Sequence, residues 1–179
     1  TILLGDTEDR SNFSDFAELI QLVFRTQRNL IMLRETDVNP SEEAEEAEEV
    51  EEAEEIHVWW GGNKDNIGLI LTLAYQIQKS PVWKQSKLIL KTIVNSKEEQ
   101  DASKERLETF IEEQRIPAEA DVLIKNLPSF FEIIRQSSAD AGLVFMGMRP
   151  PHKEETDEEY GRYYGNLMEA TKEMPPLAF

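Results

Sequence analysis

The sequence predicts an α/β fold: a three-layer sandwich in which a mostly parallel β-sheet lies between two layers of helices. Short apolar runs alternate along the chain with helix-length segments that carry a single apolar stripe. The runs are continuously apolar, which is typical of strands covered by helices on both faces and joined by right-handed crossovers. With 179 residues, the chain has the usual length of one domain, roughly 100–200 residues. We therefore predict a single α/β domain spanning residues 1–179.

The first half of the chain is predicted to contain three strands and two helices. The strands are the apolar runs 2–4, 30–33 and 56–60, which are too short for helices and are mostly bounded by turn or polar residues. Between them, apolar residues recur every three or four positions, as on one face of a helix. The first helix carries Phe16, Leu19, Ile20 and Val23, and the second carries Ile67, Ile70, Leu71 and Ala74. Pro81 marks the end of the second helix.

The second half is predicted to contain four strands and three helices. The strands are the apolar runs 88–94, 122–124, 143–146 and 177–179. The helical stripes are Leu107, Phe110 and Ile111; Leu127, Phe130, Phe131 and Ile134; and Tyr160, Tyr163, Tyr164 and Leu167. Ser96 with Glu99 and Thr156 with Glu159 have the spacing of a capping box, and Pro128 suits the first turn of its helix.

Residues 37–55 interrupt the alternation of strands and helices. The run 42–55 contains ten glutamates, three alanines and one valine. Its Glu-Glu-Ala repeat has a period of three, so at about 100° per residue its apolar positions drift around a helix and form no stable face. We predict a solvated or disordered acidic insertion at about 37–55, with a partner-binding or ion-attracting acidic segment as the alternative.

The charge and composition of the chain exclude several classes of function. The formal net charge is −17, of which the ten glutamates of 42–55 contribute −10, leaving −7 on the other 165 residues. Without a compensating basic stripe, such a surface repels nucleic acid and anionic membrane surfaces. The absence of cysteine excludes disulfides and thiolate catalysis. The longest apolar run, near 69–75, is far shorter than the ~18–20 residues of a membrane span, so we expect no direct membrane insertion.

Candidate catalytic and metal-binding residues are scarce. His57 lies inside a predicted strand and His152 follows two prolines in a loop, so neither has the sequence context of a nucleophile–His–acid triad. We interpret His57 as a packed or edge histidine and His152 as a surface residue. Residues 63–66 lack the alternating oxygen ligands of a calcium loop and predict a turn. Trp59 and Trp60 point to opposite faces of their strand, which favours burial on both sides, with an interface role for one as the alternative. We expect no enzymatic activity, metal or cofactor.

Four residues are weak candidates for binding a nucleotide. They follow predicted strands, where open parallel sheets offer backbone amides to phosphate groups. The candidates are Gly61, Gly62, Gly147 and Arg149.

The segment that begins at Gly147 resembles the nucleotide loop of universal stress proteins. The pattern of that loop is Gly, two residues, Gly, nine residues, Gly, then Ser or Thr. Here Pro150 and Tyr160 occupy the second and third glycine positions, and the nearby Gly161 is followed by Arg162. The departure favours a structural turn, although a bidentate contact from Arg149 would compensate in part. The resemblance implies a fold similar to that of the universal stress proteins.

A second resemblance covers most of the chain outside 37–55. The run Ile-His-Val-Trp-Trp-Gly-Gly at 56–62, followed by Asn-Ile-Gly-Leu at 66–69, is similar to the strand and turn that open a repeat in the cytosolic C-terminal region of cation-chloride cotransporters. The segments 139–151 and 173–179 agree with it in the same order, and Thr-Ile-Leu-Leu-Gly at 1–5 looks like the strand that begins the second half of that region. Because both ends are strand-like, we expect a piece of a longer protein.

This resemblance implies a regulatory and dimerising domain at the cytoplasmic face of the cell membrane. Symport of chloride with sodium or potassium would belong to a transmembrane part outside these residues. The implied partners are a second copy of the chain, the transmembrane transport domain of the same protein and the first half of the C-terminal region. The alternative is a free-standing nucleotide-binding protein of the universal stress type.

Overall fold

A computed structural model describes residues 1–7, 9–34, 55–62 and 64–179. The strands in this part of the chain are β1 Ile2–Gly5, β2 Leu30–Arg34, β3 Glu55–Trp59, β4 Lys87–Val94, β5 Glu119–Ile124, β6 Ala141–Met146 and β7 Leu177–Ala178. The α-helices are α1 Phe13–Arg25, α2 Lys64–Gln78, α3 Lys97–Gln114, α4 Phe130–Ser137 and α5 Asp157–Ala170. Every predicted strand and helix is therefore confirmed at its place in the sequence.

The strands form one seven-stranded sheet in the order β1-β2-β7-β6-β3-β4-β5 within the described residues. Five neighbouring strands, from β7 to β5, run parallel to one another. β1 and β2 are also parallel to each other, but β2 runs antiparallel to its other neighbour, β7. The mostly parallel sheet is confirmed, and its one reversal lies at the β2–β7 junction. As a result, β2 begins at the same end of the sheet where β6 ends.

Helices cover both faces of the sheet, as predicted. α1, α4 and α5 pack on one face, over a core that includes Met32, Trp59 and Val144. α2 and α3 pack on the other face, over a core that includes Val58 and Leu90. Burial of apolar area of this kind is the main favourable contribution to folding.

The aromatic residues of α5 and β3 lie in these cores. Tyr160 and Tyr164 are buried between α5 and the sheet, so the tyrosine cluster serves the core. Trp59 is buried on the α4 side. Trp60 packs on the opposite side, where its ring stacks on Phe110 of α3 with ring centroids 5.9 Å apart. The predicted burial of the two tryptophans on opposite faces is confirmed.

One part of the sheet is left open on the α2–α3 side. Leu3 and Leu33 lie on this face of β1 and β2. The register pairs Leu3 with Ile31 and Gly5 with Leu33, and residues two positions apart on a strand share a face. Leu3 is 62% exposed and Leu33 is 41% exposed. The neighbouring Leu4, on the other face of β1, packs against the core under α1. The described helices therefore leave an apolar strip uncovered along β1 and β2.

Three local predictions need correction or limitation. Ser129 has an extended backbone (φ −96°, ψ 132°) and caps α4, which begins at Phe130, so placing Pro128 in the first helical turn was wrong. Thr156 and Glu159 form the predicted capping box. Before α3, the Ser96 hydroxyl accepts from the N–H of Glu99 as a capping box requires, but the Glu99 carboxylate accepts from the backbone N–H of Asn95 and not from that of Ser96. Residues 35–54 lie outside the described part, so the predicted acidic insertion at about 37–55 falls on them except for Glu55, which belongs to β3.

Candidate functional site

A cleft of about 960 Å³ opens at the end of the sheet where β6 ends and β2 begins. Its floor is apolar and includes Leu30, Ile31, Phe145 and Phe179. The C-terminal part of α1 forms one wall and the first turns of α2 form the other, so the cleft runs across the end of the sheet. The loop 147–153 closes a third side. In open α/β sheets, ligand sites usually lie outside the carboxyl ends of the parallel strands, and β6 provides such an end here.

Arg149 lies in this loop, and its guanidinium is bound within the loop. Nη1 donates to Glu155 Oε2 over 2.8 Å, and Nη2 donates to Glu155 Oε1 in a bidentate ion pair. The guanidinium carbon also lies 4.2 Å from the ring centroid of Tyr163 and 5.1 Å from that of Tyr160. The hydrogen bonds from Arg149 lower the pKa of the Glu155 carboxyl to about 2, and the same contact raises the pKa of Arg149.

Two tyrosines of α5 hold the backbone of the same loop. The hydroxyl of Tyr160 donates to the carbonyl of Arg149 over 2.8 Å, and the N–H of Arg149 donates to the hydroxyl oxygen of Tyr163 over 3.0 Å. Burial raises the pKa of both phenols, so they stay protonated. Tyr160 thus occupies the third glycine position of the universal stress pattern and holds the backbone of the loop. The loop is held both by these tyrosines of α5 and by its own Arg149–Glu155 pair.

Among the described residues, the charged side chains that line the cleft are all basic. They are Arg25, Arg28, Arg149 and Lys153. This excess is unexpected in a chain with 36 acidic and 19 basic residues. Glu155 neutralises Arg149. The uncompensated positive charge around the cleft therefore comes from Arg25, Arg28 and Lys153. The sequence contained no signal for this group, because α1 and the loop after β6 are far apart along the chain.

The four nucleotide candidates do not come together. Gly147 and Arg149 line the cleft described above, whereas Gly61 and Gly62 line a separate cleft of about 720 Å³ beside Phe110 of α3. Gly62 has a φ of 89°, a left-handed conformation that favours glycine, so a turn explains it. At Gly147 a Cβ atom would meet nothing within 4 Å. No close backbone approach therefore requires glycine there.

A buried polar cluster lies on the opposite face of β3 from α2, beneath the end of α4. Ser138 Oγ is 2.9 Å from His57 Nδ1 and accepts from Trp59 Nε1 over 2.9 Å. Lys91 Nζ donates to the carbonyl of Ser137 over 3.2 Å and forms an ion pair with Asp121 at 3.0 Å. The sequence did not indicate this cluster, because its members come from three strands and a helix end.

His57 is neutral in this cluster, because burial lowers the pKa of its imidazole. Its Nε2 lies 2.9 Å from the Glu55 carboxylate. A neutral ring that donates through Nε2 and accepts the Ser138 hydroxyl at Nδ1 satisfies both contacts. His57 is thus a packed histidine, as predicted, and His152 is exposed on the surface loop.

Metal and membrane sites are not found among the described residues. No group of three or more His, Asp or Glu side chains there is placed to hold a metal ion. None of the helices in the described ranges is both long enough and apolar enough to cross a bilayer.

Comparison with solved structures finds two neighbours to report. The chain is similar to the crystal structure of the cytoplasmic domain of a prokaryotic cation chloride cotransporter, with a TM-score of 0.62 and 17% identity over 99% of this chain. It spans 61% of the length of that neighbour. A universal stress family protein from Burkholderia pseudomallei is similar over 72% of this chain and 96% of its own length, with a TM-score of 0.45 and 10% identity. No protein-family model and no curated protein sequence matches the chain.

Proposed function

We propose that the chain is a regulatory and dimerising cytosolic domain of a cation-chloride cotransporter. The observation that carries the proposal is the structural similarity to a cotransporter cytoplasmic domain along nearly the whole chain. The sequence segments at 1–5, 56–69, 139–151 and 173–179, which resemble the C-terminal region of that family, support it from a separate direction.

In this role the domain does no chemistry and carries no ions. Its partners are a second copy, the first half of the C-terminal region and the transmembrane transport domain, which symports chloride with sodium or potassium. The domain lies at the cytoplasmic face of the cell membrane. It acts by contacting one conformation of the transport domain more favourably than another, which shifts the population of the two. The uncovered apolar strip along β1 and β2 offers a surface for contact with the second copy.

The test has a genetic part and a functional part. The reading frame upstream should encode a series of apolar segments of ~20 residues each. Chloride-dependent rubidium uptake into cells that express the complete protein should then change when residues 1–179 are deleted, at equal surface expression. A reading frame without membrane spans, or uptake that ignores the deletion, contradicts the proposal.

The contacts of Arg149 argue against the alternative of a nucleotide-binding stress-type protein. Its guanidinium is engaged by Glu155 and two tyrosine rings, and Pro150 lacks the N–H of the missing glycine. We expect ATP to bind with a dissociation constant no tighter than roughly 1 mM, about −4 kcal/mol. Titration calorimetry measures this value. Micromolar binding that is lost in Arg149→Ala favours the alternative.

A further inference from the structure

We propose that the cleft between α1 and α2 binds a small amphipathic anion, an aliphatic chain with a carboxylate or phosphate head group. This inference goes beyond the regulatory role and does not depend on it. It rests on the shape of the cleft, on its apolar floor and on the position of its charges.

The size and lining of the cleft suit the apolar part of such a ligand. Its volume of about 960 Å³ lies within the ~300–1,000 Å³ typical of small-molecule sites. The α2 wall offers Leu69, Ile70 and Leu73, and the other side chain of this wall that the structure describes in the lining is the uncharged Asn66. Leu69 is 36% exposed although it is apolar. An aliphatic chain along this wall would remove these side chains from water.

The basic side chains that the structure describes in the lining lie on the other side of the cleft. Arg25 and Arg28 belong to α1 and the residues after it, and Lys153 belongs to the loop after β6. Gln21 joins the two, because its side chain donates to the carbonyl of Glu155 over 3.3 Å and accepts from Arg25 over 2.7 Å. This seam between α1 and the loop is where an anionic head group would lie.

The basic residues of the seam lack acidic partners of their own. In the described part of the chain, neither Arg28 nor Lys153 forms an ion pair; Glu155 is engaged by Arg149, and Glu154, which follows Lys153, does not line the cleft. The cleft is therefore apolar at its α2 side and cationic at its α1 side. That polarity matches a ligand with an apolar body and one anionic end, and it does not match a neutral or cationic one.

The first experiment compares ligands that differ only in their head group. Decanoate, decyl phosphate and decan-1-ol, each kept monomeric, are titrated into the protein by calorimetry, with acetate and inorganic phosphate as heads without a chain. We expect saturable one-to-one binding of a ten-carbon anion, roughly fivefold tighter than decan-1-ol, and none of acetate or phosphate. The stronger of the two anions identifies the head group. Equal binding of anion and alcohol, or no binding of either anion, overturns the proposal.

The second experiment uses matched variants. Arg28→Gln with Lys153→Gln should weaken the anion roughly fivefold and leave decan-1-ol unchanged, whereas Lys172→Gln, outside the cleft, should change neither. Leu69→Trp should fill the cleft and weaken both ligands at least tenfold, an order-of-magnitude expectation for a blocked apolar site. Leu22→Trp is the control, since Leu22 is 54% exposed on α1 and does not line the cleft. Equal effects of the two tryptophans, or an anion affinity unaffected by the two glutamines, overturn the proposal.

A third measurement needs no variant and so stands even if a substitution unfolds the chain. Of the five methionines, Met148 lines the cleft, whereas Met32, Met146, Met168 and Met174 are buried in the core. In methyl NMR spectra, the added anion should shift the Met148 methyl most. A larger shift at Met174 would place the ligand elsewhere and refute the assignment.

Discussion

Arg149 stabilises its own loop. The bidentate pair with Glu155 and the flanking rings of Tyr160 and Tyr163 hold residues 149–155 against α5. The side chain of Glu155 is largely buried and also accepts from the backbone N–H of His152 over 3.0 Å. Charge-assisted pairs of this geometry are stronger than ordinary surface ion pairs. The segment that resembles the nucleotide loop of universal stress proteins is therefore a structural element in this chain.

The pH dependence of this ion pair can be measured. The pKa of Glu155 in the folded chain lies below its ordinary value of 4.5, at about 2. The pair therefore stabilises the fold fully above pH 4.5, and this stabilisation is lost as the pH falls towards 2. Glu155→Gln should lower the free energy of unfolding by about 1–2 kcal/mol at pH 7, after allowance for partial exposure of Arg149.

The test is urea denaturation of both proteins at pH 7 and pH 3. The difference between them should shrink by roughly half at pH 3, because this carboxyl is then protonated in the unfolded chain but still mostly ionised in the folded chain, so that folding must release a proton. Glu154→Gln, at the exposed neighbouring position, is the control. A difference that stays constant with pH would show that the ion pair does not determine the stability of this loop.

Ser138 determines the polar contacts beneath α4. Its buried hydroxyl serves both His57 and Trp59, so Ser138→Ala leaves two buried ring nitrogens without this partner. At ~1–3 kcal/mol for each unsatisfied group, we expect a loss of about 2–4 kcal/mol in the free energy of unfolding. Ser137→Ala should cost much less, because Lys91 binds the backbone carbonyl of Ser137, which remains. Thermal unfolding compares the two, and equal losses would count against this role of Ser138.

At the scale of elements, α1 and α5 approach closely where α5 has small residues. A Cβ atom at Gly161 would lie 3.2 Å from the carbonyl oxygen of Phe13, and one at Gly165 would lie 2.9 Å from the Phe13 ring. That ring is fixed edge-on against Tyr164, with centroids 5.3 Å apart. The glycines of α5 are thus required by packing against α1, although glycine is a poor helix former.

Two glycine substitutions test this packing. Gly165→Ala should lower the free energy of unfolding by about 1 kcal/mol, because overpacking outweighs the gain in helix propensity. Gly68→Ala in α2, where a Cβ atom meets nothing within 4 Å, should raise it by about 0.5–1 kcal/mol. Chemical denaturation of the two variants decides the point. A stabilising Gly165→Ala would mean that the Phe13 ring yields easily.

At the scale of the whole molecule, the sheet is wider than the layer formed by the described helices α2 and α3. The core under these helices includes residues of all strands from β7 to β5, while the open face of β1 and β2 exposes Leu3 and Leu33. Clustered exposed leucines on a sheet are typical of an interaction surface. The tyrosines of α5 serve the core. The strip along β1 and β2 is therefore a better candidate than these tyrosines for the proposed dimer contact.

The dimer can be tested through these leucines. Leu3→Thr with Leu33→Thr introduces β-branched residues that suit strands but removes apolar area, which should weaken self-association by about 2 kcal/mol, roughly thirtyfold in the dissociation constant. Val82→Thr is the control, because Val82 is 88% exposed and lies in a turn away from the strip. Sedimentation over a concentration series measures the change. A native chain that remains monomeric at millimolar concentration contradicts the dimer.

The type and order of the elements could be predicted from the sequence because they depend on local periodicity. Apolar residues at every third or fourth position identify the buried face of a helix, and short apolar runs identify the buried strands. The same reasoning made His57 a packed or edge histidine and placed the two tryptophans on opposite faces. It failed at Pro128, where the start of a short helix depends on the backbone of one capping residue.

The tertiary structure alone decided the direction of the β1–β2 pair and the composition of the cleft. Strand direction depends on contacts between segments far apart along the chain, and a parallel and an antiparallel neighbour have the same apolar pattern. For the same reason, the sequence determined that Arg25, Arg28 and Lys153 are charged but could not place them on one rim. Charge and periodicity are properties of single residues and short segments, whereas a site is produced by the long-range packing that brings those segments together.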